Sequence, residues 1–210
     1  MSDSKIFNAV PAFSNIKPFS SEIRTELFRK CIHLMVAFVP LAASVNLFAT
    51  KSFLVAAIVV YSVCEAMRLN GRRVLLISGI TDAASRTRDK GHFVLGPVAL
   101  AVGTLLALML YPSTAAAVGI YALAFGDSAA SIVGKFFGRI KYPEILGKKT
   151  LEGTLACFVA VFIVTFAIGA DIKAAFIIAA IAAVTELVPI KDLDNLLIPV
   201  FTGMVAMLLL

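Results

Sequence analysis

The chain has 210 residues, of which 60% are hydrophobic and only 15% charged, and its mean hydropathy is +0.95. This composition excludes an ordinary soluble globular protein and is typical of a polytopic membrane protein, so we predict an all-α bundle of transmembrane helices. The formal charge of +6 does not indicate a nucleic-acid partner, because no basic run is interleaved with aromatic residues. The three cysteines lack CxxC spacing, so neither a zinc site nor a disulfide framework is indicated.

Apolar segments recur along the chain, and we interpret about seven of them as membrane spans. They cover residues 31–50, 53–67, 93–111, 115–133, 151–170, 172–188 and 196–210. Several are shorter than the roughly 20 residues that cross a bilayer core, so tilt or loop residues are expected to extend them. Residues 74–84 are too short to cross and are predicted to form an interfacial or re-entrant element. Residues 1–30 are predicted to be a polar cytoplasmic or interfacial segment that is retained.

The basic residues predict the orientation of the bundle. Nearly all of the 19 lysines and arginines lie in the N-terminal segment or in the loops after the second, fourth and sixth spans. The positive-inside rule therefore predicts a cytoplasmic N-terminus, with only Lys51 and Lys173 in turns on the opposite side. Every polar cluster then faces the cytoplasm, whereas a solute transporter should have polar groups through the full membrane depth. A transporter or non-catalytic scaffold is accordingly the weakest of our three functional hypotheses.

Residues 126–154, GDSAASIVGKFFGRIKYPEILGKKTLEGT, are the most informative part of the chain. An ionised Asp127 beside an apolar segment is costly unless a ligand compensates it, and a metal-bound polyphosphate is the leading candidate. Helical spacing brings Asp127, Ser131 and Gly134 to one face, at the predicted end of the fourth helix. Ser128 could hydrogen-bond the carboxylate or the ligand. The glycines have a simpler alternative explanation, which is close helix packing.

The second part of this block precedes the fifth span. A helix N-terminus attracts phosphate through its free amides and its dipole, and Lys148 and Lys149 add positive charge there. Thr150 can cap the helix or donate to a ligand, and Glu152 suits the first turn. The GxxxxGK[ST] pattern of a Walker loop is absent.

Further polar residues lie at the cytoplasmic ends of other spans. Arg29 and His33 are four residues apart and should project together, where a phosphate or hydroxyl could be contacted. Glu65 and Arg68 are three apart and could pair with each other. Near the C-terminus, the acids offer hard oxygen ligands for Mg²⁺ or a base for a hydroxyl, although Asn195 with Asp194 could simply cap the last helix. These acids are Glu186, Asp192 and Asp194.

GDSAASIVGKFFG followed by KKTLEGT resembles the nucleotide-binding signature of the CTP-dependent polyprenol kinases, a family of dolichol kinases, phytol kinases and fungal-type diacylglycerol kinases. The blocks RKCIH, Glu65 with Arg68, and ELVPIKDLDNLLIP are similar to further family blocks in the same order. The resemblance implies a helical membrane kinase that uses CTP and Mg²⁺ or another divalent cation to phosphorylate a lipid alcohol, with residues 31–210 as one transmembrane catalytic domain. The family borders on phosphatidate cytidylyltransferases, and that activity is our second hypothesis.

The site residues follow from these patterns and this resemblance. We expect the catalytic residues to be Asp127, Lys149, Asp194, Arg29 and His33. We expect the nucleotide to be bound by Gly126, Ser128, Ser131, Gly134, Lys135, Lys148, Thr150, Glu152 and Gly153. We expect the metal ligands to be Asp127, Asp192 and Glu186. The expected partners are CTP, a lipid alcohol and membrane lipids, with no nucleic acid and no predicted oligomeric state.

Overall fold

The structure is a computed structural model that describes residues 21–72, 79, 81, 83–84, 91–143, 146, 149–189 and 193–210. In these ranges all regular structure is helical, apart from an isolated antiparallel bridge between Lys141 and Thr150. The all-α class is therefore confirmed. Most of the predicted interfacial element at 74–84 lies outside the described residues, as do Lys148 and Asp192.

The described helices form seven rods, where a rod is either one helix or a run of helical segments that follow each other directly. Each rod corresponds to one predicted apolar segment. The first rod joins α1 (Ser21–Met35), a 3₁₀ turn (Val36–Phe38) and α2 (Val39–Val45), and it is followed by α3 (Leu47–Leu69) and α4 (Gly96–Leu110). The fourth rod joins α5 (Ser113–Tyr121), a π segment (Ala122–Asp127) and α6 (Ser128–Phe137). The last three are α7 (Leu151–Ala167), α8 (Ile172–Leu187) and α9 (Asp194–Leu209).

Three of these rods are long and apolar enough to cross a membrane by length and composition. They cover Ile23–Val45, Leu47–Leu69 and Ser113–Phe137, whereas α4, α7 and α9 are shorter apolar helices. Several apolar helices are therefore short in the structure itself, as their segments are in the sequence. The long fourth rod is largely enclosed by other helices, whereas the first two rods expose most of their apolar surface.

The turn between the first two rods lies earlier than predicted. Asn46 separates α2 from α3, and its Oδ1 accepts a hydrogen bond of 2.9 Å from the Ala49 amide. Asparagine is a favoured N-cap because its side chain satisfies a free amide of the first turn. Lys51 is therefore inside α3, and the prediction that it lies in the turn is wrong.

Helix α9 packs against α4, α5 and α8. Pro199 within α9 has no amide hydrogen to give to the Asn195 carbonyl. Gly103 of α4 lies directly against that carbonyl, since a Cβ built on Gly103 would be 2.3 Å from the Asn195 oxygen. The close contact sets the position of Asn195, which is fully buried and faces the functional site.

Candidate active site

Asp127 lies inside the bundle at the end of the π segment, well before the helix ends at Phe137. The prediction that it sits at the end of the fourth helix is therefore wrong. A π segment encloses one more residue per hydrogen-bonded ring than an α-helix and is common at functional sites. Asp127 is 5% exposed, so its carboxylate needs compensation from neighbouring groups.

That compensation comes from α1. Lys30 Nζ donates a short hydrogen bond to Asp127 Oδ2, and the two side chains are equally buried. His33 Nε2 lies 3.7 Å from the same carboxylate oxygen, and Glu26 Oε1 lies 3.9 Å from Lys30 Nζ. Glu26, Lys30 and His33 share one face of α1 because they are spaced four and three residues apart. We call these residues and Asp127 the buried centre.

His33 is held in a defined orientation. Its Nδ1 donates to the Arg29 carbonyl at 2.8 Å, which leaves Nε2 facing Asp127 and Asn195. The distance from Nε2 to Asn195 Oδ1 is 2.9 Å, and Asn195 Nδ2 in turn donates to the Gly96 carbonyl. The ring therefore links α1 to α9 and α4 beside the Asp127 carboxylate.

Beside the buried centre, α6, the start of α7 and the end of α8 surround a cleft. Most of the predicted nucleotide site lies in its wall, which consists of Ala130, Ser131, Gly134, Lys135, Lys149, Thr150, Gly153 and Glu186. Lys149 Nζ donates to Glu186 Oε1 at 2.8 Å across the cleft. Thr150 is the N-cap of α7, since its Oγ1 accepts from the Gly153 amide at 3.2 Å, which confirms the predicted capping role. We call this feature the lysine cleft.

Glu26 connects the two features. Its Oε1 accepts from Ser131 Oγ at 2.8 Å, and its Oε2 lies 3.1 Å from Lys135 Nζ. The same carboxylate lies 3.8 Å from Arg29 Nη1 as well as near Lys30. Two wall residues of the lysine cleft are thus joined through one carboxylate to the cations of α1.

The glycines of the motif lie at helix contacts. A Cβ on Gly134 would lie 3.0 Å from Thr150 Oγ1, and one on Gly153 would lie 2.7 Å from the Ala130 carbonyl oxygen. Gly126 similarly faces Val161 of α7. These glycines allow α6 and α7 to approach closely, which brings Ser131 and Lys135 opposite Lys149.

Two predicted acids have partners in the polypeptide backbone. Glu152 Oε1 accepts from the Arg139 and Ile140 amides at 2.9 and 3.1 Å, and so holds the chain that follows α6. Asp194 Oδ1 accepts from the Asn195 amide at 2.9 Å at the start of α9. Asp194 also lies within electrostatic range of Asp127, Lys30 and Lys149, so it belongs to the surroundings of the buried centre.

Within the described residues, no three His, Cys, Asp or Glu side chains come together as a metal-binding group. Mg²⁺ in nucleotide sites is usually held by one or two carboxylates together with phosphates and water, so such a triad is not required. Asp127 supplies a carboxylate, and the adjacent Ser128 Oγ is buried without a hydrogen-bond partner. These hard oxygens fit Mg²⁺ with a bound nucleotide.

Sequence reasoning left three residues out of the predicted site. Lys30 and Glu26 are buried at its centre, and Asn195 was considered only as a helix cap. The signal for the first two was available, because their spacing to His33 places all three on one helix face. Their importance depends on the packing of α1 against the π segment, which no local pattern encodes.

Comparison with known proteins identifies relatives of one kind. Dolichol kinase EVAN of Arabidopsis thaliana is 29% identical over 75% of this chain, and a probable chloroplastic phytol kinase of Triticum aestivum is 26% identical over 89%. Dolichol kinase of Saccharomyces cerevisiae is 54% identical over 46 residues, which are 22% of this chain. The matches cover 29%, 68% and 8% of these relatives, respectively, so the chain corresponds to only part of the dolichol kinases.

No family model matches the chain, and no solved structure is significantly similar to it. The curated matches are nevertheless consistent in kind, since they are named dolichol kinase or phytol kinase in plants, fungi, mammals and a cyanobacterium. They extend over much of the chain at modest identity. These homologues confirm the resemblance that the sequence motifs indicate, which is a resemblance to dolichol kinases and phytol kinases.

Proposed function

We propose that this protein is a membrane-embedded kinase that transfers the γ-phosphate of CTP to the hydroxyl of a lipid alcohol such as a polyprenol, phytol or diacylglycerol. The observation that carries the proposal is that the buried centre lies beside the lysine cleft. The buried centre contains the Asp127 carboxylate and His33, and the lysine cleft contains the basic N-terminus of α7. The names of the relatives support kinase chemistry. The choice of CTP rests on the resemblance of residues 126–154 to the family signature.

In this proposal the lysine cleft receives the phosphates. The N-terminus of α7 directs the positive end of its helix dipole at the cleft, and Lys149 and Lys135 add positive charge beside it. Both lysines are now paired with carboxylates, Lys149 with Glu186 and Lys135 with Glu26. Phosphate oxygens would take over these lysines, and the released carboxylates would then be available to a divalent cation or its water shell.

Asp127, Ser128 and Glu186 are the described residues that would hold Mg²⁺ together with the nucleotide. The cation would supply charge neutralisation on the phosphate oxygens. The protein residues would contribute further positive charge, because Lys30 is buried beside Asp127. Burial of this kind strengthens each electrostatic contact with the transferred group.

The proposed reaction is a direct phosphoryl transfer. The lipid hydroxyl oxygen attacks the γ-phosphorus, a new P–O bond forms, and the bond from the γ-phosphorus to the bridging oxygen breaks as CDP leaves. The hydroxyl proton passes to the Asp127 carboxylate, and His33, whose Nε2 lies 3.7 Å from that carboxylate, orients it. Arg29, Lys30 and Lys149 neutralise the charge that spreads over the transferred group, and Asp194 tunes the field around Asp127.

We further propose that the site faces the cytoplasm, where nucleotides are found. The basis is the positive-inside distribution of lysine and arginine in the loops that adjoin the lysine cleft. Lys173, near the start of α8, lies at the other end of that helix from Glu186. Labelling of cysteines introduced at Lys135 and Lys173 in sealed vesicles would test this orientation.

The decisive experiment combines purified protein, Mg²⁺ and a panel of lipid alcohols and phosphatidate with CTP labelled either in the γ-phosphate or in the cytidine. We expect the γ-label in the lipid and the cytidine label in CDP. Cytidine label in lipid would instead identify a cytidylyltransferase, and absence of turnover with every nucleoside triphosphate would contradict an enzymatic role. Parallel assays with ATP, GTP and UTP test the choice of CTP.

A further inference from the structure

A second cleft lies on another side of His33, between α1 and the start of α4. It shares no wall residue with the lysine cleft. Its described wall consists of Arg29, Ile32, His33, Ala84, Val94, Gly96, Pro97 and Leu100. We call it the α1/α4 cleft.

The α1/α4 cleft is amphipathic. Arg29 and His33 form its polar part, whereas Ile32, Pro97 and Leu100 are apolar. Large apolar side chains are exposed on both sides of the cleft, such as Leu34 of α1 and Leu95 directly before α4, as expected for a surface in contact with lipid. A molecule with one polar group and an apolar chain therefore matches the cleft better than a free nucleotide does.

The wall of the α1/α4 cleft is held in place by α3. The Val94 amide donates to Glu65 Oε1 at 2.9 Å, and the Val94 carbonyl accepts from Tyr61 Oη at 3.1 Å. Arg68 donates to both oxygens of Glu65 and also to the His92 carbonyl, which confirms the predicted Glu65–Arg68 pair. Both backbone groups of Val94 are thus anchored, so this part of the cleft is preformed.

His33 connects the α1/α4 cleft to the buried centre. Its ring lines the cleft, and its Nε2 lies 3.7 Å from Asp127 Oδ2. Arg29 also lines the cleft and lies 3.8 Å from Glu26, which contacts Ser131 and Lys135 in the lysine cleft. A polar group bound at Arg29 and His33 would therefore lie beside the Asp127 carboxylate and be linked through Glu26 to Ser131 and Lys135 of the lysine cleft.

We propose that the α1/α4 cleft binds the acceptor lipid alcohol, with its hydroxyl at Arg29 and His33 and its hydrocarbon chain over Ile32, Pro97 and Leu100. The role of the bound alcohol as a phosphoryl acceptor rests on the proposed kinase function. The binding experiment does not depend on that function. Glu65 is then a positioning residue, because it acts on the cleft only through the Val94 backbone.

Binding is tested by photolabelling of the wild-type protein in lipid nanodiscs, without nucleotide, with an isoprenoid alcohol that carries a diazirine. We expect label on the peptides around Ile32 and Pro97 that an excess of unlabelled alcohol removes. Neither the matching hydrocarbon without a hydroxyl nor added phosphatidylcholine should remove it. Equal competition by phosphatidylcholine, or competed label confined to α3, would overturn the assignment even if kinase activity is found.

Kinetics test the same assignment with a matched pair of variants. Ile32→Trp fills the α1/α4 cleft from a half-buried position, whereas Leu34→Trp adds the same bulk to the exposed face of the same helix. For Ile32→Trp we expect the KM for the lipid alcohol to rise at least about tenfold with the KM for CTP unchanged, and for Leu34→Trp we expect both to stay within about twofold. An unchanged lipid KM for Ile32→Trp would refute the assignment.

A third variant separates positioning from packing. Glu65→Gln should raise the KM for the lipid alcohol about fivefold and leave the KM for CTP unchanged, because loss of the charge weakens the pairing with Arg68 and so loosens the segment from His92 to Val94. Binding of a fluorescent CTP analogue provides the folding control, since it reports the other cleft. Parallel loss of CTP binding and lipid binding would show that Glu65 maintains the whole fold and would contradict the positioning role.

Discussion

The buried centre and the lysine cleft each contain a lysine–carboxylate pair, but the two pairs differ in access to solvent. The side chains of Lys30 and Asp127 are both 6% exposed, whereas Lys149 is 22% exposed and its partner Glu186 is 10% exposed. A fully enclosed pair cannot exchange partners without a large desolvation cost, but a pair at the edge of a cleft can. We infer that Lys30 and Asp127 provide a fixed environment, and that Lys149 is the cation free to turn to a ligand.

Replacement of Asp127 by Asn should have the largest effect. We expect at least a 10³-fold loss of phosphoryl transfer, since the site loses a metal ligand and the charge that orients Lys30 and His33. The variant should also lose about 3–5 kcal/mol of stability, because Lys30 stays buried with only the more distant Glu26 carboxylate as counter-charge. Turnover and thermal melting in detergent measure the two effects.

The double variant Lys30→Met/Asp127→Leu separates the two contributions. Removal of both charges should restore most of the melting temperature, because no buried charge is left unpaired. Activity should remain absent. Recovery of activity together with stability would show that the buried pair only supports the fold.

Lys149→Ala tests the exchangeable pair. We expect about a 10²-fold fall in kcat/KM for CTP, with a smaller change in melting temperature than for Asp127→Asn because the pair is partly exposed. Lys173→Ala removes a lysine near the other end of the bundle and serves as the matched control. If kcat/KM for CTP falls no further than it does for Lys173→Ala, Lys149 does not belong to the nucleotide site.

Gly103→Ala tests how far the buried centre depends on the placement of α9. The added Cβ would collide with the Asn195 carbonyl, so we expect a loss of about 1–3 kcal/mol in stability. Activity should fall about tenfold, since Asn195 contacts His33. Gly79→Ala is the control, because a Cβ there meets no atom of the described residues within 4 Å.

Lys135→Ala should have the smallest effect. Its side chain is 42% exposed and its pairing with Glu26 is worth little in water, so stability should change by less than about 1 kcal/mol. We expect the KM for CTP to rise about threefold at low salt, and the difference from wild type to shrink above 0.5 M salt as screening increases. A salt-independent difference would indicate a packing role instead.

The sequence predicts the class of fold and the number of rods because long apolar segments have few alternatives in a membrane. It also predicts the pairing of Glu65 with Arg68 and the cap formed by Thr150, since both depend on residues three apart. The spacing of residues along the sequence is sufficient to predict such local contacts. The turn at Asn46 was misplaced because an apolar scan follows hydropathy and overlooks the capping side chain.

The composition of the candidate site is less accessible to sequence reasoning. Helical spacing gave no reason to prefer Arg29 over Lys30, and the choice depends on which face of α1 meets the π segment. Asp127 looked terminal because small and polar residues follow it, yet α6 continues beyond it to Phe137. The contact between His33 and Asn195 joins residues 162 positions apart, a distance that no local pattern spans.

The π segment has a consequence for the whole fourth rod. A ring closed by an i→i+5 hydrogen bond shifts the register of all following side chains by about one residue, roughly 100° around the helix axis. Accordingly, α5 packs against α9, whereas α6 packs against α7. Deletion of one residue between positions 122 and 126 would cancel this offset, turn Ser131 and Lys135 away from the lysine cleft, and leave the length and hydrophobicity of the span almost unchanged. A membrane insertion assay would not distinguish such a protein from the wild type, although Ser131 and Lys135 would no longer face Lys149.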